Sequence, residues 1–152
     1  MKVMVSACLA GVKCRYDGGA AADPLWVERV RRGEAVPLCP ELLGGLALPR
    51  PPSEIVGGGG RDVAAGRAPV LTREGLDVTK AFLTGARRVV EIALQNGITR
   101  AYLKDKSPSC GVCQIFDGSF SGRLIPGCGV TAALLTAAGI AVFPGDRKER
   151  KP

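Results

Sequence analysis

Val3-Met4-Val5-Ser6-Ala7-Cys8 opens the chain with an apolar run that ends on a cysteine. Residues 2–7 read as a short, fully buried strand. The pattern recurs: Cys39 follows Ala35-Val36-Pro37-Leu38, and Cys110 follows Ala101-Tyr102-Leu103 after a short polar loop. In an open α/β sheet the carboxyl ends of parallel strands line one rim, and ligands bind in the crevice there. Three cysteines far apart in sequence are therefore expected to meet at one point. Three thiolates are a poor structural staple but a good cradle for a metal cluster with one open position.

The rest of the chain alternates in the same sense. Asp23-Pro24 gives an N-cap and a proline at the first helical position, ahead of a helix over Leu25–Arg32 that stops at Gly33. A second strand is expected over 35–38 and a third over 99–104. Between them, Val78, Phe82, Ala86, Val89, Val90, Ala93 and Leu94 follow helical spacing, so the longest helix is predicted from Val78 to Asn96, with Gly97 as the stop. From Pro49 to Pro69 the chain is rich in Pro and Gly, with Gly57 to Gly60 in a row, which predicts a flexible surface loop or lid. Asp117-Gly118 within Gln114–Phe120 is a turn signal and predicts a small hairpin. A last helix, Val130–Ala138, precedes Gly139 and a final strand, Ile140–Phe143. The fold expected is α/β: one three-layer, Rossmann-like domain over 1–146 with a largely parallel sheet, and a basic tail over 147–152. Strand order does not follow from the sequence.

Composition narrows the chemistry. The 152 residues contain no histidine. That excludes histidine general bases, histidine-ligated zinc and every Ser-His or Cys-His dyad. Six cysteines (Cys8, Cys14, Cys39, Cys110, Cys113, Cys128) stand in a chain whose N-terminus shows no signal-peptide pattern. This favours metal binding or thiol chemistry in the cytoplasm over disulfides. No apolar run approaches the roughly 20 residues of a membrane span. The formal charge is +7, part of it from Arg147-Lys148-Glu149-Arg150-Lys151. Such a tail reads first as a solvated end, although a basic surface also suits an anionic partner such as RNA.

Conventional metal motifs fit poorly. Cys110-Gly111-Val112-Cys113 is a CxxC with no second CxxC to complete a four-cysteine zinc site, and the segment after it lacks the helix of a redox dithiol. Iron–sulfur clusters prefer thiolates, and holding only three irons leaves the fourth able to act as a Lewis acid. Cys8, Cys39 and Cys110 are the candidate ligands. Glu41 stands two residues after Cys39 and, without histidine, is the leading proton-handling group. Ser107, just before Cys110, suits positioning water or relaying a proton. Asp17, Arg50, Lys104 and Lys106 are candidate contacts to substrate or sulfide.

Taken together, Ser6-Ala7-Cys8-Leu9-Ala10-Gly11, Cys14-Arg15-Tyr16-Asp17-Gly18, Cys39-Pro40-Glu41-Leu42-Leu43-Gly44-Gly45-Leu46, Lys104-x-x-Ser107-Pro108-Ser109-Cys110-Gly111 and Gly127-x-Gly129-Val130-Thr131 make the chain resemble the thiouracil desulfidase family, from about Val3 to Phe143. The resemblance implies a 4Fe–4S cluster held by Cys8, Cys39 and Cys110, with the fourth iron open to the sulfur of a thiolated uracil. It also implies Glu41 and Ser107 as the proton-handling pair, and non-redox hydrolysis of a C–S bond. The substrate implied is a small thiolated nucleobase or nucleoside; tRNA is less favoured. Cys14, Cys113 and Cys128 fall outside the ligand set, as buried small hydrophobes, sulfur acceptors or alternative ligands. Three other readings stay open: a sulfur or iron–sulfur carrier, a small RNA-binding module, and a structural zinc domain. Against the RNA module stands the scarcity of aromatics, 5% of the chain, since RNA readers stack bases on exposed rings.

Overall fold

A computed structural model describes residues 2–146. In chain order the elements are β1 (Val3–Ser6), a 3₁₀ turn (Ala7–Ala10), α1 (Pro24–Arg31), β2 (Ala35–Leu38), α2 (Pro40–Leu43), β3 (Ser53–Ile55) and α3 (Gly60–Ala64). They continue with β4 (Val70–Thr72), α4 (Thr79–Gln95), β5 (Arg100–Leu103), β6 (Gln114–Phe116), β7 (Leu124–Pro126), α5 (Val130–Ala137) and β8 (Ala141–Pro144). The basic tail over 147–152 lies outside the described residues.

β2, β1, β5 and β8 form the central sheet in that spatial order, and every pairing is parallel. Met4 and Val5 on β1 are both 0% exposed, because the sheet is covered on both faces. Period-two alternation sends them to opposite layers. Met4 packs with Val89 and Ala93 of α4 and Leu135 of α5; Val5 packs with Trp26 of α1. The three layers expected from the alternation of elements are therefore present. Helix boundaries agree closely with the sequence signals. Asp23 caps α1 by accepting the Leu25 N–H at 3.0 Å, and α4 buries Phe82, Gly85, Ala86, Val89 and Ala93 along one stripe.

The chain builds β2 on one side of β1 and then crosses to build β5 and β8 on the other. The topological switch point lies between β1 and β5, where open α/β sheets bind ligands. This fixes where the strand-end cysteines gather.

Two expectations need correction. The segment 49–69 is not an unstructured lid. β3 pairs antiparallel with β4, and α3 starts inside the glycine run. Ile55, Val63, Ala68 and Val70 bury themselves against Phe82 and Ala86 of α4 in a second core. Gly60 belongs to packing: a Cβ there would stand 2.1 Å from the Gly129 carbonyl oxygen. The hairpin is also larger than predicted. Its strands are β6 and β7, and Asp117–Arg123 form the turn.

Candidate active site

At the carboxyl end of the sheet lies a cavity of about 400 Å³, and Cys8, Cys14, Cys39 and Cys110 all line it. Cys8 sits in the 3₁₀ turn directly after β1. Cys39 is the N-cap residue of α2, with Pro40 at the first helical position and Glu41 in the first turn. One short helix thus aims a thiol and a carboxylate at the same space. Its placement depends on backbone contact with α4. A Cβ at Gly44 would lie 2.1 Å from the Ala81 carbonyl oxygen, and one at Gly85 only 1.8 Å from that of Pro40. This is the physical reason for glycine in the Cys39–Leu46 motif.

Cys110 rides on a loop after β5 that is fixed from three directions. Asp105, 1% exposed, accepts backbone N–H groups on Oδ1 from Lys106 (3.0 Å), Val112 (2.8 Å), Cys113 (3.0 Å) and Gln114 (3.3 Å). Its Oδ2 is buried with no partner. The entry to α5 supplies the second clamp: the N–H groups of Gly129, Val130 and Thr131 donate to the carbonyls of Gly111, Pro108 and Ser109 at 2.8–2.9 Å. These are donors that a helix start leaves unsatisfied. Asp146 supplies the third, taking the Asp105 N–H at 2.8 Å and the Lys104 ammonium at 2.7 Å. Ser107 Oγ accepts the N–H groups of Ser109 and Cys110, both at 3.0 Å. With its lone pairs so engaged, the hydroxyl acts toward the cavity as a donor.

Glu41 Oε1 pairs with Arg50 Nε at 3.0 Å, and the two side chains are only 18% and 7% exposed. Arg50 also donates to the Cys14 carbonyl at 2.8 Å, so it ties the loop after β1 to the carboxylate. Burial pushes the Glu41 carboxyl above the ordinary carboxylate range, and Arg50 opposes that shift. The thiols shift one another's ionisation. Cys39 is pushed far up by its hydrogen bond with Cys14 and by burial. Cys14 is lowered by Cys39 but raised more by Cys8 and burial, to about 11. Burial takes Cys110 to about 12, with the Cys39 and Glu41 charges adding to it. Clustered thiols that oppose each other's ionisation are what a cation-bearing group relieves.

The structure brings Cys8, Cys39, Cys110, Glu41, Ser107, Arg50, Lys104 and Lys106 to one cavity. Lys104 reaches it already paired with Asp146. Asp17 does not line the cavity; it sits in an exposed turn and accepts the Gly19 N–H at 2.8 Å. Cys113 and Cys128 also stand away from the wall, whereas Cys14 is 2% exposed on it, between Cys8 and Cys39. Sequence reasoning missed Cys14, Asp105, Glu54, Arg73, Phe116 and Phe120 as wall residues. Only Cys14 carried a usable signal, as a cysteine inside a motif.

Residues 3–147 match the 2-thiouracil desulfurase family, and the chain belongs to that family. The Bacillus subtilis (strain 168) protein YbbK, itself uncharacterized, is 46% identical over 141 residues, 93% of each chain. Among solved structures, the 4Fe–4S-dependent thiouracil desulfidase TudS superposes with a TM-score of 0.85 at 41% identity, over 96% of this chain and 91% of that one.

The donor set fits such a cluster. Among the described residues, no three cysteine, aspartate or glutamate side chains close on a single point as one metal ion requires. Cys8, Cys39 and Cys110 line one cavity, and thiolates are the donors that an iron–sulfur cluster takes. Among the described residues no helix is long and apolar enough to cross a membrane.

Proposed function

We propose that this protein is an iron–sulfur-dependent desulfidase that removes sulfur from a thiolated uracil-type base, with residues 1–146 acting as one domain in the cytoplasm. The observation that carries this reading is the meeting of Cys8, Cys39 and Cys110 with the Glu41–Arg50 pair and Ser107 on one cavity wall, in a member of the 2-thiouracil desulfurase family. A 4Fe–4S cluster held by those three cysteines supplies a Lewis-acidic iron toward the substrate sulfur.

The chain's own groups do the proton work. Arg50 holds the Glu41 carboxylate in a fixed orientation, and Glu41 takes a proton from the water that attacks the ring carbon. Ser107 donates its hydroxyl proton as a hydrogen bond to that water or to the substrate. Water adds its oxygen to the carbon, the C–S bond breaks, and uracil and hydrosulfide leave with no net electron transfer. Lys106 lines the mouth as an exposed cation for anionic species. A cavity of about 400 Å³ is sized for a base or nucleoside.

Anaerobic reconstitution with iron and sulfide, followed by assay for hydrosulfide from 2-thiouracil and 4-thiouracil, tests the reading. The expected result is iron loading with stoichiometric uracil and hydrosulfide. A fully loaded protein that releases neither product from either base overturns it.

A further inference from the structure

Two non-glycine residues among the described ones hold a positive φ: Lys106 at 73° and Phe120 at 56°. Both line the cavity. A left-handed backbone is costly for any residue with a Cβ and rarest for bulky ones. Local turn needs do not account for a ring at this point, because Gly118 and Gly122 already supply left-handed positions two residues to either side. Strain of this kind persists where the surroundings over-determine it, and it gathers at binding sites.

What holds Phe120 is visible. Glu54 on β3, only 9% exposed, accepts the N–H of Gly118 at 2.9 Å and that of Phe120 at 3.1 Å on the same Oε1. A buried carboxylate from one hairpin thereby fixes the backbone of the ring on another. The ring itself stays half-buried on the cavity wall, with the Arg73 guanidinium 5.9 Å from its centroid and Phe116 on the same wall. The cysteines line the same cavity. A planar heterocycle whose exocyclic sulfur faces the cysteines leaves its π-face to be gripped elsewhere.

Building on the desulfidase reading, we infer that Phe120 is the ring on which the substrate's heterocycle stacks, with Glu54 the positioning residue that holds it there. The sulfur wall then selects the thiocarbonyl edge and the aromatic wall selects flatness.

The test uses anaerobically reconstituted holoenzyme: wild type, Phe120→Ala, Phe120→Leu, Phe120→Tyr and Glu54→Gln. Iron content, equilibrium dialysis against uracil and 4-thiouracil, and hydrosulfide release are measured on each. In Phe120→Ala and Phe120→Leu, base affinity is expected to fall and KM to rise roughly tenfold, the usual scale for loss of a stacking ring. Iron content stays at the wild-type level and kcat within about threefold. Phe120→Tyr restores both constants, and Glu54→Gln raises KM without lowering kcat. If Phe120→Leu binds both bases as wild type does, the wall needs bulk and not a ring, and the inference is overturned. Loss of iron in both Phe120→Ala and Phe120→Leu overturns it as well. A wild type that binds 4-thiouracil but releases no hydrosulfide sinks the desulfidase reading alone, and dialysis of the variants still decides Phe120. If wild type binds neither base, both fall.

Discussion

On the thiol wall of the cavity, Cys39 and Glu41 stand on a helix whose backbone touches α4 at Gly85, and Cys110 stands on a loop clamped by the N–H groups that open α5. On the aromatic wall, Phe120 hangs from a turn held by side chains: Glu54 accepts the Gly118 and Phe120 N–H groups, and Asp117 accepts the Ser119 N–H. The first wall is set by main-chain contacts between regular elements and, at Cys110, also by the Asp105 carboxylate within its own loop, and the second by a carboxylate reaching in from a different hairpin. Main-chain contacts leave no room for adjustment, whereas a side-chain tether fails gradually. On the proposed desulfidase reading, the wall that would hold the cluster ligands and the proton acceptor is the rigid one.

Breaking the rigid wall at its sulfur is expected to have the largest effect. Cys39→Ala should abolish turnover and lower bound iron after reconstitution, both read on one anaerobic sample. Next comes Glu41→Gln, for which turnover should fall by roughly 10²–10⁴-fold, the scale of a lost general base. Iron content should stay unchanged there, because Glu41 is not in the ligand set. A sulfur or iron–sulfur carrier would show no such collapse, and a carrier assay of cluster transfer separates the two.

Gly85→Ala attacks the main-chain contact itself. Its new Cβ would meet the Pro40 carbonyl oxygen at 1.8 Å, so α2 must shift. Destabilisation of about 1–3 kcal/mol is expected from such overpacking, together with lowered turnover, because Cys39 and Glu41 move with α2. Denaturant unfolding measures the first and hydrosulfide release the second. A variant of wild-type stability would show that the two helices are not in register-setting contact.

Asp105→Asn is expected to cost about 2 kcal/mol at neutral pH, the scale of hydrogen bonds to a charged acceptor. Burial acts to raise the Asp105 carboxyl, but its four backbone donors outweigh that and hold it below the ordinary aspartate value. A depressed folded-state pKa means that the stabilisation is full above the unfolded value of about 4 and is lost as pH falls through the folded one. The gap in stability between wild type and Asp105→Asn should therefore be constant from pH 5 to 8, by the same linkage, and narrow on acidification below about 4. A gap that widened in acid would assign the opposite sign to the carboxylate.

The smallest effect is expected at Lys106→Gly. Relief of the left-handed backbone at φ 73° should stabilise the fold by up to about 1 kcal/mol. Loss of the exposed cation should raise KM only a few-fold, in keeping with the weakness of exposed charge pairs. A gain in stability together with a loss in affinity marks a residue kept for binding.

Much of this was legible in the chain. Asp23-Pro24, Gly33, Gly97 and the stripe from Phe82 to Ala93 placed the helices within a residue or two, because caps and helical spacing are local signals. The run from Pro49 to Pro69 misled because β3 and β4 are only three residues each, too short for alternation to show. Asp17 belonged to a motif yet serves a turn, while Glu54 and Phe120 belonged to none and line the cavity.

Strand-end cysteines, a lack of histidine and a carboxylate beside Cys39 determined the kind of chemistry and the rim on which it sits, since parallel βα units carry their loops to one edge. Which other side chains share that rim was decided in three dimensions. Cys14 reaches it through Arg50, Asp105 gathers four amides around Cys110, and Glu54 sets the ring of Phe120 from a different hairpin. Contacts between residues far apart in the chain depend on strand order and on the close approach of backbones, and neither leaves a periodic trace in the sequence.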